Sequence, residues 1–132
     1  MSSPFSPANA EFLSAPRCAA IATFGPDGML HQAVVWFSLT EDGVLINSLE
    51  GRRWPANLRR DPRISLAIFD GEDYVIIRGE AEVVGNAERG QRDIRSLARR
   101  YGVDPEFFAG QHRVSFIVRP DHVALHGSLA ES

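Results

Sequence analysis

Two adjacent arginines, Arg52 and Arg53, form the part of this chain best suited to bind an anion. They follow a predicted strand that ends at Asn47. They precede a predicted short helix with Pro55 in its first position, where a missing N–H costs no hydrogen bond. The free N–H groups and positive dipole end of such a helix, together with two guanidinium forks, suit one phosphate group. Asn47 and Ser48 would add side-chain donors. The alternative is a solvated charged turn, since paired arginines are common at surfaces.

Aromatic and amide side chains near this segment each admit two interpretations. Trp36 and Phe37, and Trp54 after the arginines, are either core or dimer-interface aromatics or contacts to a bound cofactor. Asn57 is either a helix residue that packs beneath the turn or a donor that orients it. The sequence leaves both choices open.

Composition excludes several functional classes. The 132 residues carry a net charge of −3 with no basic stripe, which disfavours nucleic-acid binding. All 14 basic residues are arginine, so a lysine Schiff base, a lysine general base and a phosphate-loop lysine are absent. The single cysteine, Cys18, begins an apolar run and is predicted to be a small buried side chain.

The histidines do not indicate a metal site. His122 and His126 share a face of a predicted strand but stand about 13 Å apart at a rise of about 3.3 Å per residue. No hydrolase, zinc-protease or nucleotide-loop motif is present, and no residue stands out as catalytic. His31 is the one histidine to test as a substrate contact.

No apolar run is long enough to span a membrane, and the first residues show neither a basic nor an apolar leader pattern. We therefore expect a cytoplasmic protein with no membrane partner.

The patterning predicts one α+β domain over residues 1–132. A helix begins at Pro7 with Ser6 as its cap, a second begins at Pro55, a third covers residues 86–101, and a helical turn follows Asp104. Gly79 suggests a bulge within a long strand. Predicted strands cover residues 17–24, 29–39, 44–47, 64–69, 74–84, 114–118 and 123–126. Six or seven short, mainly antiparallel strands with a few helices make a barrel.

The spacing Ser-x-x-Gly-Arg-Arg-x-x-x-Asn-Leu-x-x-Asp-Pro-Arg over residues 48–63, preceded by residues 22–37, resembles the pyridoxamine-phosphate-oxidase-like split-barrel family. Within that family it looks most like the flavin- and deazaflavin-dependent oxidoreductases. The likeness continues through residues 74–79, 99–102 and 113–127. Two departures stand out: Gln32-Ala33 replaces a common proline, and Trp54 stands where a lysine commonly follows the arginine.

The resemblance implies a flavin-binding split barrel that passes a hydride from reduced deazaflavin F420 to a small organic acceptor. FMN is the alternative cofactor, and a binding module that holds a flavin, deazaflavin or haem-like ligand without turnover is the alternative class. Arg59, Arg60 and Arg63 would favour the acidic tail of F420. The implied cofactor-binding residues are Gln32, Val34, Val35, Trp36, Asn47, Ser48, Arg52, Arg53, Trp54 and Asn57.

A homodimer is expected on two grounds. A chain of this size is small for a buried cofactor cavity unless a second subunit closes it. The strand predicted over residues 29–39 is also too apolar on both faces to be an exposed barrel wall.

Overall fold

The computed structural model describes residues 5–127 and contains seven strands, three α-helices and one 3₁₀ turn within them. In chain order they are α1 (Pro7–Ser14), β1 (Ala19–Phe24), β2 (Leu30–Val35), β3 (Ser38–Thr40), β4 (Gly43–Leu49), α2 (Arg53–Arg60), β5 (Arg63–Asp70), β6 (Asp73–Val84), α3 (Ala87–Arg100), the 3₁₀ turn (Pro105–Phe108) and β7 (Arg113–His126). Ser6 caps α1 by accepting a hydrogen bond from the Asn9 amide, as its sequence predicts.

All strands belong to one antiparallel sheet in the order β2-β1-β5-β6-β7-β4-β3. Its two edge strands, β2 and β3, are consecutive in the chain and joined only by Trp36 and Phe37. Two residues span so little distance that the sheet has to curl until its edges approach each other there. The result is the predicted α+β split barrel.

The main core fills this curled sheet. Alternate residues of β1, β5 and β6 face it, and Phe37, Phe116 and Leu13 are among its fully buried side chains. A smaller cluster lies between α3 and the 3₁₀ turn, where Ile94, Leu97, Ala98 and Phe108 pack against Trp36 and Tyr101. The candidate site lies beside this second cluster.

The predicted bulge at Gly79 is present. The pairing of β6 with β7 shifts between Arg78, opposite His122, and Gly79, opposite Pro120, which leaves Asp121 as the extra residue. A Cβ at Gly79 would overlap the Arg119 carbonyl oxygen. The bulge also corrects the prediction of two last strands: β7 is continuous because a bulge tolerates a proline.

Three further sequence predictions were wrong. Residues 29–39 form two strands, because Trp36 and Phe37 cross from one sheet edge to the other. Helix α2 begins at Arg53, with Pro55 in its third position, because pairing with β7 extends β4 to Leu49 and shortens the turn. Cys18 is exposed, because β1 turns Ala19 and Ile21 inward and the residue before them outward.

Two residues at the carboxyl end of α3 make hydrogen bonds to several other parts of the fold. The Arg100 guanidinium donates to the carbonyl oxygens of Leu13, Ser14 and Ala15 at the end of α1, and to that of Phe37. The neighbouring Tyr101 hydroxyl accepts from the Phe37 amide at 3.0 Å and donates to the Arg17 carbonyl oxygen. We call Arg100 and Tyr101 the α3 hub.

Candidate functional site

An open groove of about 670 Å³ runs between β2 and the carboxyl half of the fold. Its lining comes from β2, from the end of β4 with the start of β7, and from α3 with the 3₁₀ turn. The start of α2 also contributes, through Arg53 and Trp54. The groove is lined by His31, Gln32, Ala33, Val34, Val35, Trp36, Asn47, Ser48, Arg52, Arg53, Trp54, Ile94, Leu97, Phe108 and Arg113.

The part of the groove beside the start of α2 is cationic, and we call it the cationic end. Arg52 is the N-cap residue of α2 and makes no side-chain capping bond, and Arg53 is the first helical residue. A helix leaves its first N–H groups without intrahelical acceptors, so the Arg53 and Trp54 amides add to the positive dipole end. Among residues 5–127, neither arginine has an ion-pair partner. Gly51, with a φ of 92°, permits the turn that presents them.

A third arginine, Arg113, reaches the same end from β7. Its Nε donates to Asn47 Oδ1 at 3.0 Å and its Nη1 to Gln111 Oε1 at 2.9 Å, while the guanidinium lies 5.4 Å from the Phe108 ring centroid. None of these contacts neutralises its charge. Burial, together with the nearby charge of Arg52, lowers the pKa of Arg113 from its ordinary value to about 10. A half-buried cation that has no carboxylate partner among residues 5–127 favours a bound anion.

Asn47 positions Arg113 and has no hydrogen left for a ligand. Both of its amide hydrogens are used, on the Gly90 carbonyl oxygen at 2.9 Å and on Ser115 Oγ at 3.0 Å. Ser115 in turn donates to the buried Asp93 at 2.7 Å. The prediction that the Asn47 amide donates to the anion is therefore wrong; its oxygen instead accepts from Arg113 and orients it.

Ser48 lies beside Asn47 and is almost fully buried. Its hydroxyl donates to the Leu49 carbonyl oxygen at 2.9 Å. Ser48 is one of the residues that line the groove, and its hydroxyl hydrogen is directed to the backbone.

Both tryptophans of the chain line the groove. Trp36 stacks on Tyr101 with ring centroids 4.8 Å apart and planes 9° apart, and it meets the edge of Phe108 at 5.9 Å. Trp54 is almost fully buried and packs against Phe116 at 5.6 Å. Phe37, by contrast, is fully buried in the core. The α3 hub thus holds Trp36 at the groove, whereas Phe37 is a core aromatic.

Asn57 lies outside the groove. It is buried in α2 and lines an adjoining hollow of about 420 Å³, together with Pro26, Asp27, His31, Arg53, Ala56 and Arg60. His31 and Arg53 line both spaces. Of the ten cofactor-binding residues predicted from the sequence, the structure brings nine to the groove and places Asn57 behind its cationic end.

Two arginines expected to extend the positive charge are neutralised. Arg59 makes two hydrogen bonds of 2.9 Å to the carboxylate of Glu50, which lowers the pKa of Glu50. Arg63 pairs with Asp61 at 2.7 Å. Arg60 instead donates to the Phe24 carbonyl oxygen and to Asn57 Oδ1. Arg60 alone of these three keeps a charge without a carboxylate partner among the described residues.

Sequence reasoning missed Arg113, Ile94, Leu97 and Phe108 as groove residues. The helical stripe containing Ile94 and Leu97 was recognisable, but only as a face that had to be buried somewhere. Arg113 lies 60 residues after Arg53 and reaches it through the pairing of Arg113 with Leu49 across β4 and β7. No local spacing reveals such a contact.

Within residues 5–127 no group of three or more His, Cys, Asp or Glu side chains is arranged to hold a metal ion. Over the same residues, every helix is too short or too polar to cross a membrane.

A family model described as pyridoxamine 5'-phosphate oxidase matches residues 5–127. The chain belongs to this family, as its arginine motif suggested. Among curated proteins, none matches the chain significantly in sequence.

Solved structures of the same architecture extend this comparison. A conserved hypothetical protein from Mycobacterium tuberculosis is 24% identical with a TM-score of 0.79, over 96% of this chain and 89% of that one. A protein titled F420 reductase is 20% identical with a TM-score of 0.77, over 94% and 98%. The haem storage protein HutZ from Vibrio cholerae is 18% identical with a TM-score of 0.74, over 92% and 94%. At these identities the similarity establishes the fold; the functions differ between the neighbours.

Proposed function

We propose that this protein is an F420-dependent oxidoreductase that transfers a hydride from reduced deazaflavin to a small organic acceptor. The observation that carries the proposal is the convergence of Arg52, Arg53 and Arg113, none of them neutralised within the described residues, at the cationic end of an aromatic-lined groove. Such a site fits a ligand with a phosphate at one end and a flat ring system further along.

Different groove residues would hold different parts of such a cofactor. The three arginines and the start of α2 would bind the phosphate, and β2, from Gln32 to Val35, would run along the ring with Trp36 at its far end. When bound, the cofactor supplies the hydride chemistry itself, so the protein needs no general base. The chain's contribution is to orient the ring and exclude water from one side of it.

The choice of F420 rests on the likeness of the Trp36-Phe37 segment and of residues 51–58 to deazaflavin enzymes, and it gains support from the F420 reductase among the structural neighbours. We call Arg52 and Arg53 the clamp. Of the three arginines expected to favour the acidic tail of F420, Arg60 alone keeps a charge without a carboxylate partner among the described residues, because Arg59 and Arg63 are paired. We expect F420 to bind more tightly than FMN at low salt, with the difference shrinking as ionic strength rises.

Tryptophan emission provides the measurement, because both tryptophans line the groove. Titrating F420 and FMN separately at two salt concentrations gives the two affinities. If the protein retains FMN through dialysis and does not respond to F420, then FMN replaces F420 as the proposed cofactor. The proposed oxidoreductase class is unchanged by that result.

The second candidate is a binding module that holds a flavin, deazaflavin or haem-like ligand without turnover. The observation in its favour is that a haem storage protein shares the fold over 92% of this chain. The two candidates separate when reduced F420 is mixed with candidate acceptors: an enzyme accelerates its oxidation over free cofactor, and a store does not.

We also propose that the protein is a homodimer and that the second copy completes the groove. Strand β2 is an edge strand whose outward side chains Leu30 and Val34 are 59% and 72% exposed, and Met29 before it is 64% exposed. Light scattering should give about twice the chain mass of 14.6 kDa. A monomer that binds cofactor fully would contradict this.

A further inference from the structure

His31 lies where the cationic end of the groove meets the adjoining hollow. The charged groups facing this hollow are Arg53 and Arg60 from α2 and Asp27 from the turn between β1 and β2. His31 itself is half-buried on β2. Its ring is therefore in a position to touch whatever extends past Arg53.

Arg60 fixes the orientation of the Asn57 side chain. The Arg60 guanidinium can only donate hydrogen bonds, and its Nη2 lies 2.9 Å from one end of the Asn57 amide. That end must be the oxygen, because an NH₂ group would present hydrogens to hydrogens. The Asn57 nitrogen consequently faces the opposite side, towards β1 and β2.

The oriented amide then fixes the histidine tautomer. Asn57 Nδ2 lies 3.1 Å from Thr23 Oγ1 and 3.1 Å from His31 Nδ1. Since this nitrogen has two hydrogens and no lone pair to offer, His31 Nδ1 has to accept. The ring proton therefore sits on Nε2. Asn57 is 1% exposed, so water cannot easily replace either contact.

The opposite ring nitrogen is left available. Among residues 5–127, His31 Nε2 has no hydrogen-bond partner. The lack of a side chain at Gly25 leaves room for this side of the His31 ring, because a Cβ at Gly25 would lie 2.5 Å from His31 Cε1 and 2.8 Å from His31 Nε2. The donor is preformed and unused within the described chain.

We propose that the Arg60–Asn57 pair locks His31 as an Nε2–H donor to an oxygen acceptor of the bound ligand beside Arg53. The lock makes His31 a specificity-determining residue: a ligand that presents only hydrogens at this point leaves the Nε2–H group unpaired. This inference rests on the proposed cofactor groove for its ligand, but the tautomer can be measured in the free protein.

The first test is long-range ¹H–¹⁵N NMR on the free protein with ¹⁵N-labelled histidines at neutral pH. The His31 signals are identified by their loss in His31→Phe. We expect a protonated, pyrrole-type Nε2 and an unprotonated, pyridine-type Nδ1. A proton on Nδ1, or an equal mixture of tautomers, would overturn the lock.

Asn57→Asp tests the cause of the tautomer. A carboxylate can accept from Arg60 and from His31 at once, so Nδ1 should become protonated, and Thr23 can donate to the same carboxylate. Should this variant melt early, Arg60→Met provides the second route, because it frees the amide to turn and should give a tautomer mixture. An unchanged Nε2–H tautomer in both would contradict the mechanism.

The second test measures ligand binding by tryptophan quenching, with FMN and F420 each as the probe. We expect His31→Phe to weaken binding of the preferred probe about tenfold, the value of one hydrogen bond. His122→Phe, an exposed histidine on β7, serves as the matched control with unchanged affinity. Unchanged affinity in His31→Phe, with loss in Arg52→Ala/Arg53→Ala, would overturn this inference alone. Failure of the unaltered protein to bind either probe would overturn the proposed function and the ligand role of His31 together.

Discussion

Arg100 and Arg113 are both partly buried guanidinium groups at the end of an element, yet their surroundings differ completely. Arg100 meets four carbonyl oxygens from α1 and from the link between β2 and β3. Arg113 has two neutral side-chain acceptors, an aromatic face, and another cation nearby. One arginine is satisfied by the fold itself, and the other retains charge that the fold does not neutralise. The same residue type therefore stabilises the fold in the α3 hub and provides unneutralised charge in the candidate site.

Removing the groove's clamp should have the largest effect, and it should fall on binding. We expect Arg52→Ala/Arg53→Ala to weaken cofactor binding by about 2 to 5 kcal/mol, because each charge-assisted contact contributes about 1.5 to 3 kcal/mol before losses are shared. Calorimetric titration measures the change. The fold should persist, since neither side chain has an ion-pair partner in residues 5–127.

The charge-matched control is Arg92→Ala/Arg99→Ala, which removes two exposed arginines from α3. Equal losses of affinity in both double variants would mean that net charge, rather than the clamp, attracts the cofactor. Unchanged affinity in the clamp variant would place the phosphate elsewhere.

Loss of Arg100 in the α3 hub should lower the stability of the fold, in contrast to loss of the groove arginines, which should lower cofactor binding. Arg100→Met leaves four carbonyl oxygens without their donor, and we expect a loss of about 2 to 4 kcal/mol in the free energy of unfolding. Urea denaturation measures it. Arg99→Met, its exposed neighbour, should change stability by less than about 0.5 kcal/mol. Equal stabilities for the two variants would show that Arg100 does not stabilise the fold.

The smallest effect is expected at the exposed pair of Asp61 and Arg63. Hydrogen bonds from Arg63 lower the pKa of Asp61 from 3.8 to about 2. A carboxyl group with a lowered folded-state pKa stabilises the fold above its unfolded pKa, and this contribution is lost as the pH falls from about 4 to 2. Asp61→Asn should therefore lower the melting temperature slightly at pH 7 and not at pH 2. An equal shift at both pH values would assign the effect to the turn rather than to the charge.

Regular patterns made much of the fold predictable. The alternation in β6 and the stripe of Ile94 and Leu97 in α3 each appear within one stretch of sequence, and burial of one face accounts for both. The predictions failed where a partner strand decided the outcome. Pairing with β7 extended β4 past Asn47, and the bulge let β7 continue through Pro120.

In the candidate site, too, local features were predictable from the sequence and long-range contacts were not. The sequence alone determined that Arg52 and Arg53 stand together at a turn after a strand, because adjacent residues stay adjacent in any fold. Only the tertiary structure decided that Arg113 joins them and that Asn47 holds it. The structure also decided that Arg59 is neutralised by Glu50 and that Asn57 faces His31. Strand register and helix docking bring together residues that lie far apart in the sequence, so the local spacing of residues does not reveal these contacts.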